Sequence, residues 1–131
     1  MSELQVGLIG RAETLVTEEN TAAAMGSGLL PVFATPAMLA LMEKAAADSV
    51  QPFLGDGQGS VGTRLEVSHL AATPIGLSVR AESELIGIDR RKLSFTVRAW
   101  AGEELIGEGS HQRFIIDNAR FLEKAQAKKK D

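Results

Sequence analysis

The hydrophobic positions of this chain change period twice. Leu4, Val6 and Leu8 alternate with polar neighbours, and Ala12, Thr14 and Val16 resume the alternation after Gly10. A period of two predicts a first strand within residues 4–17, with Gly10 at a bulge. From Thr35 to about Val50 the alternation gives way to Met38, Leu39, Ala40, Leu41, Met42, Ala45, Ala46 and Ala47. That run predicts a helix apolar on nearly every side, which belongs inside a protein. Thr35 before Pro36 reads as its N-cap. Pro52 and then Gly55-Asp56-Gly57-Gln58-Gly59 end it in a loop that matches no phosphate-binding signature. Alternation then returns in four stretches, 61–70, 77–85, 93–100 and 105–116, separated by turn residues.

The phases assign faces. Val61, Thr63, Leu65, Val67 and His69 are expected to cover the helix, with Gly62, Arg64 and Glu66 on the far face. Trp100 is expected on the outer face. Gly107 and Gly109 leave the phase of the last strand open. Thr17-Glu18-Glu19 caps a short helical turn through Ala22-Ala23-Ala24, and Gly26-Ser27-Gly28 breaks it. Residues 18–34 thus read either as a lid or as a plain connection. Asp117 or Asn118 caps a last short helix. The prediction is an α+β domain: an antiparallel five-stranded sheet wrapped around one long central helix.

Composition narrows the chemistry. The 131 residues suit one domain, and 44% hydrophobic content is enough for a real core. Residues 118–131 are expected to be a short helix and a lysine tail. The absence of cysteine excludes disulfides and thiolate metal sites, and two histidines offer no recognisable zinc spacing. A net charge of −3 and a pI near 5.4 argue against nucleic-acid binding. The first residues do not read as a signal peptide, and the apolar stretch Leu29–Met42 is too short for a membrane span and contains Pro31 and Pro36. The expectation is a soluble cytoplasmic protein without metal or cofactor.

Glu43 stands in the middle of the apolar helix. A carboxylate in water-poor surroundings is costly unless paired or protonated, which makes it the first functional candidate. The alternative is a helix tilted so that Glu43 and Lys44 reach the surface together. His69 shares the face that covers the helix, either as a satisfied core histidine or as a partner of Glu43. Thr35, eight residues before Glu43, can border the same pocket without touching Glu43 along the helix. His111 receives no role. Arg90, Arg91 and Lys92 either meet phosphates or are simply solvated.

These residues sit in segments with a known likeness. Leu30-Pro31-Val32-Phe33-Ala34-Thr35-Pro36-Ala37, Leu41-Met42-Glu43-Lys44-Ala45-Ala46, Val61-Gly62-Thr63-Arg64-Leu65-Glu66-Val67-Ser68-His69, Ala72-Thr73-Pro74-Ile75-Gly76 and Gly109-Ser110-His111-Gln112-Arg113 resemble the fluoroacetyl-CoA thioesterase type of hot-dog protein. The resemblance implies a thioester hydrolase acting on a short-chain acyl-CoA, fluoroacetyl-CoA-like substrates included. It implies catalytic roles for Thr35, Glu43 and His69. It implies that Gly62 offers its N–H to the thioester carbonyl, that Arg113 lies near the substrate, and that the site forms in a homodimer, alone or paired into a tetramer. Read from the residues alone, Gly62 serves close backbone approach or merely strand curvature. Arg113 pairs with Glu43, holds a CoA phosphate or is a surface residue. Glu43 can attack the carbonyl or activate water. The other reading of the same fold is a protein that binds an acyl-CoA or small ligand without turnover.

Overall fold

The computed structural model describes residues 3–129. Five antiparallel strands form one sheet: β1 (Ile9–Leu15), β2 (Gln58–His69), β3 (Ser78–Asp89), β4 (Lys92–Ala101) and β5 (Glu104–Asp117), in the spatial order β1-β3-β4-β5-β2. Helices α1 (Ala22–Met25), α2 (Thr35–Val50) and α3 (Asn118–Gln126) complete the chain. Strands β3, β4 and β5 are joined by tight hairpins, with Arg90 and Gly102 at positive φ in the turns. β1 and β2 are therefore the two edges, and α2 is inserted between them in sequence.

Helix α2 buries Met38, Leu41, Met42, Ala45, Ala46 and Val50. Their spacing of three and four residues makes one stripe, which packs on Val79, Ala81 and Leu85 of β3 and Leu93, Phe95, Val97 and Ala99 of β4. Each larger side chain in this layer stabilises the fold by about 1.5–3 kcal/mol. The helix is not enclosed all round, as its composition suggested. Pro36, Ala40, Lys44 and Asp48 form an exposed stripe, with a Lys44–Asp48 ion pair at 2.9 Å. Alanine at position 40 tolerates water as readily as the core, so composition alone overstated burial.

Gly10 is not at a bulge. It lies in unbroken register with Ser83, and a Cβ there would fall on the Ala45 carbonyl oxygen. The missing side chain lets α2 lie directly on β1. The segment between β1 and α2 is folded back on itself. Thr17 caps a 3-10 turn (Glu18–Asn20), Thr21 caps α1, and the amides of Ala22 and Ala34 donate to Val32 and Asn20 carbonyls. Trp100 lies across from Arg80, whose guanidinium covers its ring at 5.1 Å. Lys128 and Lys129 are exposed; Lys130 and Asp131, the rest of the expected tail, lie outside the described residues. Among the described residues no helix is long and apolar enough to cross a membrane, and no cluster of His, Asp or Glu could hold a metal.

Candidate active site

The start of α2 differs from the expected cap by one residue, and the difference frees a hydroxyl. Ala34, not Thr35, is the N-cap, with extended φ −75° and ψ 141° and no side-chain cap bond. Hydrogen bonds from Phe33 N–H to the Thr73 carbonyl and from Ala34 N–H to the Asn20 carbonyl hold the chain extended up to that point. Thr35 is thus the first helical residue. Its Oγ1 shares a 2.7 Å hydrogen bond with Nδ1 of His69, the last residue of β2. His69 Nε2 is buried and has no hydrogen-bond partner among the described residues. Burial lowers the His69 pKa below its ordinary value, and the Ala71 backbone opposes this only in part. The imidazole is therefore neutral near pH 7. A cavity of about 350 Å³ opens on this pair, walled by Ala22, Ser27 and Phe33 of the folded-back segment.

The second group lies further along the same seam. Arg113 of β5 is nearly buried, and its Nη1 donates to Glu43 Oε2 at 3.3 Å. Its Nε donates to Ser60 Oγ and its Nη2 to the Ser60 carbonyl, both at 2.8 Å. The same Nη1 approaches His111 Nε2 at 3.2 Å. Glu43 is therefore not a lone buried carboxylate. It is an ion-paired group whose side chain is 39% accessible in the single chain.

Gly62 joins this group because β2 is bulged between Gly62 and Arg64. The extra residue, Thr63, shifts the phase, so Ser60 and Gly62 face α2 before the bulge while Leu65, Val67 and His69 face it afterwards. Uninterrupted alternation would have turned Gly62 outward, as the sequence reading had it. A Cβ at Gly62 would collide with Glu43 Oε2 and come within 3.2 Å of the His111 ring. Glycine is the one residue that lets the carboxylate rest against this backbone.

The fold thus joins Thr35 to His69, and Glu43 to Gly62 and Arg113. It does not join the two groups within one chain: they are separated by eight residues of α2, about 12 Å, and by seven residues of β2, about 23 Å. Ser60 and His111 belong to the second group and were not singled out from the sequence. His111 is two residues from Arg113 and so on the same strand face, a signal that was present in the chain. Arg90, Arg91 and Lys92 are exposed in the β3–β4 turn.

A sheet curled around one helix, carrying these side chains along the helix seam, is the hot-dog architecture of thioesterases. A hot-dog-like protein from Thermanaerovibrio acidaminovorans shares the fold at TM-score 0.86 and 21% identity, over 96% of this chain and 93% of that one. Residues 16–119 match the family described as FlK, fluoroacetyl-CoA-specific thioesterase, and the chain belongs to that family. It is 43% identical over 97 residues to the fluoroacetyl-CoA thioesterase of Streptantibioticus cattleyicolor, covering 74% of this chain and 70% of the relative. A solved structure of the fluoroacetyl-CoA thioesterase FlK superposes at TM-score 0.93 with 34% identity, over 98% of this chain and all of the other.

Proposed function

We propose that this protein hydrolyses a short-chain acyl-CoA to the carboxylic acid and CoA, and that Thr35, Glu43 and His69 carry the reaction. The observation that carries the reading is the Glu43 carboxylate held by Arg113 against the Gly62 backbone. Thioester hydrolysis needs a nucleophile, a proton carrier and a donor to the developing oxyanion. The Glu43 carboxylate either adds to the thioester carbonyl or takes a proton from the attacking water. The Gly62 N–H, beside the bulge, serves as the oxyanion donor. A neutral His69, with Nε2 unpartnered and Nδ1 oriented by Thr35, handles the one proton that water releases. When Glu43 is the nucleophile, CoA leaves as the thiolate and His69 takes the proton of the water that cleaves the anhydride and passes it to that sulfur; when Glu43 is the base, His69 relays the proton that Glu43 took from water to the leaving sulfur. Arg113 keeps the carboxylate aimed.

The working unit in this reading is a homodimer of the domain formed by residues 1–131. β2 is a twelve-residue edge strand, and an unpaired edge of that length is a template for a second strand. Antiparallel pairing of two β2 strands about a two-fold axis sets the Gly62 end of one beside the His69 end of the other. Each site would then take Glu43, Gly62 and Arg113 from one protomer and Thr35 and His69 from its partner. The family and the substrate for which the Streptantibioticus relative is named support a small acyl group. A free-thiol release assay over acetyl-, fluoroacetyl-, propionyl- and isobutyryl-CoA tests the activity. Turnover of at least one, abolished by Glu43→Ala, is expected; no release above background, or full rate in that variant, refutes the reading. Oxygen-18 from water appearing in Glu43 identifies it as the nucleophile, and its absence leaves it as the base.

A further inference from the structure

The site as described leaves one buried polar residue without a task. His111 is 1% exposed and lies on the inner face of β5, with its ring stacked on Phe95 at 5.8 Å. Its Nδ1 is 2.8 Å from the Arg64 carbonyl oxygen. A carbonyl can only accept, so Nδ1 carries the proton. The group at Nε2 is the Arg113 guanidinium, which can only donate. Nε2 must therefore be bare, and His111 is neutral in the Nδ1–H tautomer. Its surroundings agree, since burial and the Arg113 charge push its pKa below the ordinary value, against the pull of the Arg64 carbonyl and of Glu43.

The two bonds end on the two features that build the Glu43 half of the site. Arg64 closes the β2 bulge that turns Gly62 inward, and Arg113 holds Glu43. From this geometry we infer that His111 is a positioning residue for the hydrolytic reaction. One neutral imidazole ties the bulge to the guanidinium, so that the Gly62 backbone and the Glu43 carboxylate keep a fixed separation. The inference rests on the thioesterase reading for its effect on rate, though not for the state of the ring. The ring touches no reacting atom; it acts through Arg113 and through the strand.

Three substitutions separate positioning from packing. His111→Phe preserves the stacking and the bulk but removes both hydrogen bonds. His111→Gln sets a carbonyl oxygen near the position of Nε2, restoring an acceptor for Arg113. His111→Asn sets a donor near Nδ1, toward Arg64. If His111 positions, kcat falls about 10- to 100-fold in the Phe variant, because a buried guanidinium N–H loses its acceptor. KM changes little, and the Gln variant recovers most of the rate. If His111 only fills space, the order reverses and the Phe variant is the most active. The ring itself is read in the unaltered protein by long-range proton–nitrogen correlation on 15N-labelled chain at neutral pH. A protonated Nδ1 with a bare Nε2 is expected, the opposite of the tautomer free imidazole side chains favour. An Nε2–H tautomer, a doubly protonated ring, or a Phe variant within twofold of the wild-type rate would overturn the inference. Should the unaltered protein cleave no acyl-CoA, the thioesterase reading falls, while the nitrogen spectrum still judges the clamp.

Discussion

The two halves of the site are built on opposite principles. The Thr35–His69 half is a single hydrogen bond between neutral groups, beside a cavity and at the junction of a helix start with a strand end. The Glu43 half is over-determined. Arg113 alone donates to Glu43, to His111 and twice to Ser60, and the bulge shapes the backbone below it. The difference follows from charge. A carboxylate and a guanidinium near the core are tolerated only when every donor and acceptor is met, whereas a neutral imidazole tolerates one bare nitrogen. That bare nitrogen is what a proton carrier requires. The rigid half is suited to fixing the acyl group, and the lightly held half to moving protons.

Ways to break this contrast can be ranked. The largest effect belongs to Glu43→Gln, which keeps an acceptor for Arg113 but removes the charge. The kcat value should fall about 1,000-fold with little change in thermal stability. His69→Ala should cost about 100-fold, and Thr35→Val less, about tenfold, since it only orients the ring. Equal losses at Thr35 and Glu43 would erase the proposed division of labour. Gly62→Ala follows: its Cβ collides with Glu43 Oε2, so kcat/KM should drop about tenfold and the melting temperature should fall, because the over-determined half cannot yield without breaking the Arg113 bonds.

The smallest effect is a pH dependence of stability. His69 and His111 both have folded-state pKa values below the ordinary 6.5. The unfolded chain then binds protons that the folded chain refuses, so stability is full above 6.5 and declines as pH falls through the lowered folded values. Urea midpoints should therefore be lower at about pH 5.5 than at about pH 7.5. His111→Phe should remove part of that slope, and a midpoint that rises on acidification would contradict both assignments.

Much of this arrangement was legible in the chain, and the exceptions share a cause. Period-two runs located β2 to β5, and the Thr-Pro start followed by a continuous apolar run where the alternation stops located α2. Gly62 was assigned to the wrong face because a bulge adds one residue without leaving a mark in hydrophobicity. Thr35 looked like a cap because Thr-Pro starts helices; the backbone bonds of Phe33 and Ala34 that shift the cap come from residues distant in sequence. Glu43 stood out as an isolated charge because its partner lies 70 positions away. His111 was passed over for lack of a phase, which the bulge at Ile106, between the pairs Ala99–Gly107 and Trp100–Leu105, resolves only in three dimensions.

The central claim is that neither chain holds a whole site and that two copies complete each other. Co-expressing Glu43→Ala with His69→Ala chains, each retaining about one per cent of wild-type activity or less on its own, measures this directly. In a mixed dimer one site regains both wild-type groups and the other loses both, so random pairing should restore about a quarter of wild-type activity. A co-expressed mixture with no more activity than the separate variants would contradict the account.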